Sequence, residues 1–260
     1  MAERPIQIRM DWGLHGAEAN CPGAALAIVI DVLSFTTTLS VAMDIGAEVF
    51  PFAWRDESAR EFAARHGAVL AVGRFEARQE GAGQAVSLSP ASLRAANVSI
   101  GGPTGRLARI VLPSPNGSAL ARLLGRSGLP VVGAALRNRT AVARWIAGEL
   151  AGRDGHVTVI AAGERWADDS LRPAVEDLWG AGAVITALGE IADCALSPEA
   201  AAAGVAFRAA ASSLPAQMSA SVSGQELIRA GFPEDVAIAA ELDTTTCVPV
   251  LVGERFVNGG

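Results

Sequence analysis

Four carboxylates in the sequence could support metal-assisted chemistry. Asp31 ends an apolar run and precedes hydroxyl residues, where a carboxylate is costly to bury without a cation or hydrogen-bond donors. Glu176 and Asp177 form an acidic pair in an alanine-rich segment, and Glu164 follows a second apolar run. Carboxylate oxygens are ligands that Mg²⁺ prefers. We therefore expect Asp31, Glu176 and Asp177 to be catalytic residues that bind Mg²⁺, and Glu164 to be the catalytic residue that transfers a proton.

Hydroxyl, amide and guanidinium groups follow these two apolar runs and two others, at 109–112 and 130–133, and could bind an anion. Helix N-termini at these places would add free backbone N–H groups and a partial positive charge. Helix capping and turn formation remain the alternative for any one cluster, and first-turn acids are the alternative for Glu176 and Asp177. The predicted substrate-binding residues are Ser34, Thr36, Thr37, Arg74, Asn116, Gly117, Ser118, Arg137, Asn138 and Arg165.

These residues lie between elements that alternate along the chain. Short apolar, β-branched runs predict strands at 26–31, 48–52, 68–72, 109–112, 130–133 and 157–161. Helical spacing of apolar residues predicts helices at 38–46, 57–65, 118–126, 138–151 and 173–190. This order favours an α/β fold with parallel strands and crossover helices, in which ligands bind beyond the carboxyl ends of the strands.

The remaining segments suggest one domain. Residues 74–105 are rich in glycine, serine and glutamine and predict an irregular excursion that could cover a site. Residues 197–242 read as mainly helical, with breaks near Pro215, Gly224 and Pro233, and 247–252 predicts a last strand that returns to the sheet. No boundary between independent domains is evident, so residues 1–260 are predicted to form a single domain.

Composition excludes several classes of enzyme. All 21 basic residues are arginines, so the chain lacks the lysine that P-loop proteins, pyridoxal enzymes and Ser-Lys hydrolases require. The net charge is -6 and no dense basic stripe occurs, which argues against a nucleic-acid partner. No Gly-x-Gly-x-x-Gly follows the first strand, which weakens the reading as a dinucleotide-dependent oxidoreductase.

The lengths of the apolar stretches and the spacing of the cysteines indicate where in the cell the protein is expected. The apolar stretches are much shorter than the roughly 20 residues of a membrane-spanning helix, and the N-terminus lacks a secretion-signal pattern. We expect a cytoplasmic protein without a membrane partner. Cys21, Cys194 and Cys247 have no paired spacing, so we expect them to be reduced and buried.

Five clusters, taken in order, match a known family. They are Val29-Ile30-Asp31-Val32-Leu33 with Thr36-Thr37, Ser114-Pro115-Asn116-Gly117-Ser118, Leu136-Arg137-Asn138, Ala162-Gly163-Glu164, and Glu176-Asp177 with Ala181-Gly182. From about Asp31 to Asp177, and more weakly to Val250, the sequence resembles the 2-phosphosulfolactate phosphatase (ComB-like) family of coenzyme M biosynthesis.

The resemblance implies a fold and an activity. The expected fold is a three-layer α/β/α arrangement with a mostly parallel sheet. The expected activity is magnesium-dependent hydrolysis of 2-phospho-3-sulfolactate, or a related 2-phospho acid, to the 2-hydroxy acid and phosphate. Family members usually carry Arg-Ala where this chain has Ser34-Phe35, a change that removes a guanidinium and bears on recognition of the acid group. Arg74, Arg137 or Arg165 could replace it.

Two questions stay open at this point. The attacking atom is either a metal-bound water or a carboxylate such as Asp31. The rival reading is a non-catalytic homologue that binds an anion or metabolite without turning it over. The sequence leaves homo-oligomerisation open, and the expected partner is a small phosphorylated acid.

Overall fold

A mixed β-sheet forms the centre of the molecule in the computed structural model, which describes residues 4–53, 57–74, 76, 86–99, 107–150 and 153–260. The described strands are β1 (Ile6–Trp12), β2 (Ala24–Ile30), β3 (Glu48–Phe52), β4 (Val69–Leu70), β5 (Arg109–Pro113), β6 (Val131–Ala134), β7 (His156–Ala161), β8 (Glu164–Arg165), β9 (Leu171–Arg172), β10 (Cys194–Leu196), β11 (Pro249–Val252) and β12 (Arg255–Asn258). Ten of them form one sheet in the order β10-β1-β7-β2-β6-β11-β12-β3-β5-β4, while β8 and β9 form a separate antiparallel ribbon. The large sheet is parallel except at β11 and β12.

Helices connect most of these strands. The described helices are α1 (Gly13–Asn20), α2 (Phe35–Asp44), α3 (Glu57–His66), α4 (Pro90–Ser99), α5 (Gly117–Arg126), α6 (Arg139–Glu149), α7 (Val175–Gly189), α8 (Pro198–Ala210), α9 (Leu214–Ala220), α10 (Val222–Arg229) and α11 (Pro233–Ala239). Short 3-10 turns at Leu136–Asn138 and Ala211–Ser213 precede α6 and α9. None of the described helices has the length and apolar character needed to cross a bilayer.

Strand β2 shows why the fold has three layers. Leu26, Ile28 and Ile30 belong to the hydrophobic core on one face of the sheet, which α6, α7 and α8 cover. Ala27 and Val29 belong to the core on the other face, beneath α2 and α5. Because neighbouring strand residues point to opposite faces, a strand covered on both sides is apolar throughout. This arrangement confirms the predicted three-layer α/β/α fold with a mostly parallel sheet.

Two loops that follow widely separated strands of the sheet meet at the site. β2 and β5 stand five strand positions apart, which in a flat sheet is roughly 24 Å. The Asp31 side chain after β2 nevertheless accepts a hydrogen bond from the Gly117 N–H after β5. Phe35 of α2 packs edge-on against Phe256 of β12, with ring centroids 5.9 Å apart, between these two strands in the sheet order. The carboxyl ends of distant strands therefore meet.

Several elements differ from the sequence-based expectation. β1, α1 and β10 were not predicted, and β1 inserts between β7 and β10. The segment 74–105 contains the regular helix α4, whereas residues 75, 77–85 and 100–106 lie outside the described part of the chain. Cys247 is buried as expected, but Cys21 and Cys194 are only half-buried, which corrects that expectation; all three are free thiols.

Candidate active site

Asp31 is held at the carboxyl end of β2 by hydrogen bonds from two loops. Its side chain is buried, and Oδ2 accepts from the Gly117 N–H at 2.9 Å. The Thr36 hydroxyl donates to the Asp31 carbonyl at 2.8 Å and accepts from the Asp31 N–H at 3.0 Å. The Thr36 side chain therefore fixes the turn from β2 into α2, and its hydroxyl is occupied by the backbone N–H and C=O of Asp31.

Asp177 joins the loops that follow β2 and β7. One carboxylate oxygen accepts from the Val32 N–H at 2.7 Å, and the other accepts from the Gly163 N–H at 2.8 Å. Gly163 has φ +66, and a Cβ there would lie 2.7 Å from Leu171 Cδ1 and 2.9 Å from the Arg172 carbonyl oxygen. Only glycine fits this turn without strain. Asp177, in the first turn of α7, thus clamps two strand ends together.

Glu176 is the buried carboxylate of this group that has an oxygen without a hydrogen-bond donor among the described residues. Its side chain is 2% exposed, and Oε1 has no hydrogen-bond partner among the described residues. A buried carboxylate oxygen without a donor is unfavourable unless a cation or proton satisfies it. This unpartnered oxygen is the observation that favours a cation near the acidic group.

The four predicted carboxyl groups lie close enough to influence one another. Burial raises the pKa of Asp31 to about 6, and the charge of Glu176 adds to this, while the N–H groups of Phe35 and Gly117 lower it. Burial, then the charges of Asp31 and Glu176, raise the pKa of Asp177 well above its usual range. Burial and the same two charges raise the pKa of Glu164 to about 7. The four carboxyl groups that the sequence singled out therefore lie in one region of the fold.

Glu164 lies at the open side of this group and is oriented by Asn116. The Asn116 side-chain amide donates to Glu164 Oε2 at 3.2 Å and accepts from Arg165 Nε at 3.1 Å. Arg165 also contacts the carbonyl of Pro115 and forms an ion pair with Asp169 at 2.9 Å. The loop after β5 and the ribbon β8–β9 are thereby tied together around Glu164.

The acidic side chains do not form a complete metal site on their own. Among the described residues, no three His, Cys, Asp or Glu side chains converge in an arrangement that could hold a metal ion on their own. Both oxygens of Asp177 already accept backbone N–H groups. Mg²⁺ commonly binds through one or two carboxylates and retains waters. Asp31 and Glu176 provide that number of carboxylates, and metal binding by these two residues and by Asp177 stays a prediction.

Arg74 reaches the loop after β2 from the excursion. Its guanidinium donates to the Leu33 carbonyl at 2.7 Å, pairs with Asp235 at 2.8 Å, and its charge lowers the pKa of Asp31. Asp235 is buried in α11 and also accepts from the Ser89 hydroxyl at 2.6 Å and the Ala91 N–H at 3.1 Å. Sequence reasoning missed Asp235, because an acid after a proline looks like an exposed first-turn residue.

Other predicted substrate-binding residues have structural partners. Arg137 is buried and bonds to Glu241, Asp44 and the Ser40 hydroxyl. The structure does not bring its guanidinium to the acidic group. Asn138 accepts from the Ala135 N–H at 2.8 Å and donates to the Cys247 carbonyl at 3.2 Å.

The hydroxyls at the starts of α2 and α5 differ in their bonding. The Ser118 hydroxyl donates to the Leu112 carbonyl at 2.7 Å, so its side chain closes the turn after β5. Thr37 Oγ1 is buried and has no partner among the described residues. Ser34 precedes α2 as its N-terminal cap position without a capping side-chain bond. Phosphate binding by these residues stays a prediction.

A cavity of ≈ 280 Å³ opens beside the acidic group. Asn116, Glu164 and Arg165 line its polar side, while Trp12 and Leu171 are among its apolar walls. The cavity and the acidic group share Glu164 and its partner Asn116. This position corresponds to the site expected beyond the carboxyl ends of parallel strands.

Comparison with known proteins gives the same assignment as the clusters. A sequence model described as 2-phosphosulpholactate phosphatase matches residues 15–254. A protein of Deinococcus radiodurans, described as "Probable 2-phosphosulfolactate phosphatase", is 28% identical over 235 residues, covering 90% of this chain and 91% of that protein. The matched range contains every predicted catalytic and substrate-binding residue, whereas Trp12 of the cavity wall precedes it. The chain therefore belongs to the 2-phosphosulpholactate phosphatase family.

Proposed function

We propose that this protein is a magnesium-dependent phosphatase that hydrolyses 2-phospho-3-sulfolactate or a related 2-phospho acid to the 2-hydroxy acid and phosphate. The observation that carries the proposal is the buried acidic group at the converging strand ends, with the Glu176 oxygen unpartnered among the described residues. Family membership supplies the reaction type. The name of the Deinococcus relative agrees with the substrate class.

Asp31 and Glu176 are the residues we assign to Mg²⁺. Bound Mg²⁺ would neutralise charge on the phosphate oxygens and so favour attack at phosphorus. Asp31 is fixed by the Gly117 N–H and by Thr36, so its carboxylate keeps one position. Each oxygen of Asp177 accepts a backbone N–H, so we assign Asp177 the role of a positioning residue for Val32 and Gly163.

The phosphate would be bound by main-chain donors. The N-terminus of α5, which follows β5, lies against Asp31 and offers N–H groups together with the positive end of the helix dipole. Arg74 adds a guanidinium beside the β2 loop. Such a set of donors fits a doubly charged phosphate better than a neutral ester.

Glu164 is the residue we assign to proton transfer. Hydrolysis breaks the bond between phosphorus and the ester oxygen and forms a bond from phosphorus to the oxygen of water. The leaving ester oxygen takes a proton from Glu164 and becomes the 2-hydroxy group, and the proton released by the water restores Glu164. A carboxyl group with a pKa of about 7 carries a transferable proton near neutral pH. Asn116 holds Glu164 at the edge of the cavity, where the ester oxygen would lie.

Phosphate release from 2-phospho acids tests the proposal. We expect release with MgCl₂, loss of release after EDTA treatment, and recovery on adding Mg²⁺. Asp31→Asn should lower kcat by about 100-fold or more, whereas Asp154→Asn, in an exposed ion pair with Arg4, should leave it unchanged. Stabilisation by Mg²⁺ without any phosphate release would instead favour the non-catalytic binder.

A further inference from the structure

The cavity beside Glu164 has mostly apolar walls. Trp12, Leu14, Leu120, Ala162 and Leu171 contribute side chains from β1, α1, α5, the β7 loop and β9. An enclosed apolar cavity of about 150 Å³ suffices to bind benzene, and this one measures ≈ 280 Å³. Its volume therefore accommodates a phenyl ring or a branched alkyl group.

Close packing and an ion pair position the ribbon that forms one wall of the cavity. Leu171 packs closely against two glycines: a Cβ added at Gly13 would lie 3.3 Å, and one added at Gly163 would lie 2.7 Å, from Leu171 Cδ1. The ribbon β8–β9 therefore packs directly on the ends of β1 and β7. The Arg172 guanidinium holds the ribbon in place by donating two hydrogen bonds, of 2.9 and 2.8 Å, to the Glu226 carboxylate in α10. The cavity is thus a feature of the folded chain, because glycine at both places leaves room for Leu171.

The charges around the cavity do not favour a second anion. Among its described lining residues, Glu164 and Asp169 are acidic, and Arg165 is the guanidinium that faces them. Arg165 is already engaged by the Asn116 side chain, the Pro115 carbonyl and the Asp169 carboxylate. A permanently charged sulfonate would have to displace these partners to reach the Arg165 guanidinium, or leave its charge uncompensated against the apolar walls. His15, exposed at the mouth, is the remaining basic side chain there.

We infer that this cavity is the specificity pocket for the 3-substituent of the substrate, and that it selects an uncharged, apolar substituent over a sulfonate. The inference rests on the proposed function, since the ester phosphate would occupy the adjoining acidic group. It deepens that proposal by naming the substrate class as 2-phospho acids with an apolar side chain.

A comparison of three esters tests the inference. We expect kcat/KM for 2-phospho-3-phenyllactate to exceed that for 2-phospho-3-sulfolactate by about tenfold or more, the lower end of what burying a phenyl group yields. 2-Phospholactate, which carries only a methyl group, should fall below the phenyl ester. Equal or better turnover of the sulfolactate ester would overturn the inference.

A matched pair of variants tests the location of the pocket. Leu14 at the cavity and Leu242 outside it are both 36% exposed, so either position tolerates a larger polar side chain. Leu14→Arg should shift the ratio of kcat/KM values toward the sulfolactate ester by about tenfold, the order of effect of one added charge pair, while Leu242→Arg should not shift it. An unchanged ratio in Leu14→Arg would place the substituent elsewhere.

A binding experiment separates failure of the pocket from failure of the phosphatase. If none of the three esters releases phosphate, the proposed function is wrong, but thermal stabilisation by 3-phenyllactate and by 3-sulfolactate still decides the inference. Greater stabilisation by 3-phenyllactate supports an apolar pocket. Equal or greater stabilisation by 3-sulfolactate contradicts it.

Discussion

The Asp31 carboxylate accepts a hydrogen bond of 2.9 Å from the Gly117 N–H, 86 residues further along the chain. This bond joins the loops after β2 and β5, which the sheet order alone would separate by several strands. It brings the helix start that we assign to the phosphate against the carboxylate that we assign to Mg²⁺. The distance between these two residues therefore sets the geometry of the proposed reaction.

Gly117→Ala should disrupt this contact. A Cβ at residue 117 would lie 2.5 Å from Asp31 Oδ2 and 2.5 Å from Phe35 Cβ, so one of the loops must move. We expect a loss of stability of about 1–3 kcal/mol from overpacking, together with a large drop in kcat for the best ester. Gly148→Ala in α6 is the control and should be neutral or stabilising, because no described heavy atom beyond its chain neighbours and the backbone of its own helix lies within 4 Å of the new Cβ. Equal kcat in both variants would contradict the assignment.

Asp177→Asn should separate a positioning residue from a metal ligand. The amide replaces one acceptor oxygen with a donor, which would then face the N–H of Val32 or Gly163. We expect a destabilisation of about 1–3 kcal/mol from the unsatisfied pair, measured by denaturant unfolding with EDTA. Magnesium affinity of the folded variant should fall less than in Asp31→Asn. Normal stability combined with lost Mg²⁺ binding would show instead that Asp177 is a ligand.

The acidic group should make the effect of Mg²⁺ depend on pH. The pKa values of Asp31, about 6, and Glu164, about 7, are raised above those of the unfolded chain. A raised carboxyl pKa stabilises the metal-free fold below the unfolded pKa of about 4, and this contribution is lost as pH rises through 6 and 7. Mg²⁺ competes with these protons.

The corresponding measurement is a set of thermal melts with EDTA and with MgCl₂ between pH 5 and pH 8. The increase in Tm on adding Mg²⁺ should be larger at pH 8 than at pH 5, since the carboxyl groups are ionised there. In Asp31→Asn the difference between the two pH values should shrink. A Tm increase of the same size at every pH would argue that Mg²⁺ binds away from these carboxyl groups.

Strands buried on both faces were the most predictable part of the fold. β3 has the predicted bounds, and β2, β5, β6 and β7 differ by one or two residues, because continuous apolar runs mark them clearly. β1 was missed because Gln7, Arg9 and Asp11 break its apolar run. Its place between β7 and β10 is determined by tertiary packing. No periodicity within a strand reports which strand lies beside it.

The candidate site was predictable as a set of residue types and less so as a set of roles. Asp31 and Glu176 stood out because buried acids in apolar segments need compensation. The separate tasks of Asp177 and Thr36 depend on backbone N–H and C=O groups, whose positions only the folded chain fixes. For the same reason the ribbon that forms the cavity wall, with Leu171, gave no signal in the sequence.

Arg137 distinguishes a structural ion pair from substrate binding. Its guanidinium is 3% exposed and pairs with Asp44 and Glu241, and hydrogen bonds from Arg94, then Arg137, lower the pKa of Glu241 to about 2. Arg137→Met removes the cation that pairs with Asp44 and leaves Glu241 with Arg94 alone, so we expect a loss of roughly 2–4 kcal/mol in unfolding free energy, at the lower end because both acids are partly exposed. Arg153→Met, which breaks an exposed pair with Glu149, should cost under about 0.5 kcal/mol. In Arg137→Met the KM for the 2-phospho acid should stay unchanged; unchanged stability with a raised KM would return Arg137 to the substrate site.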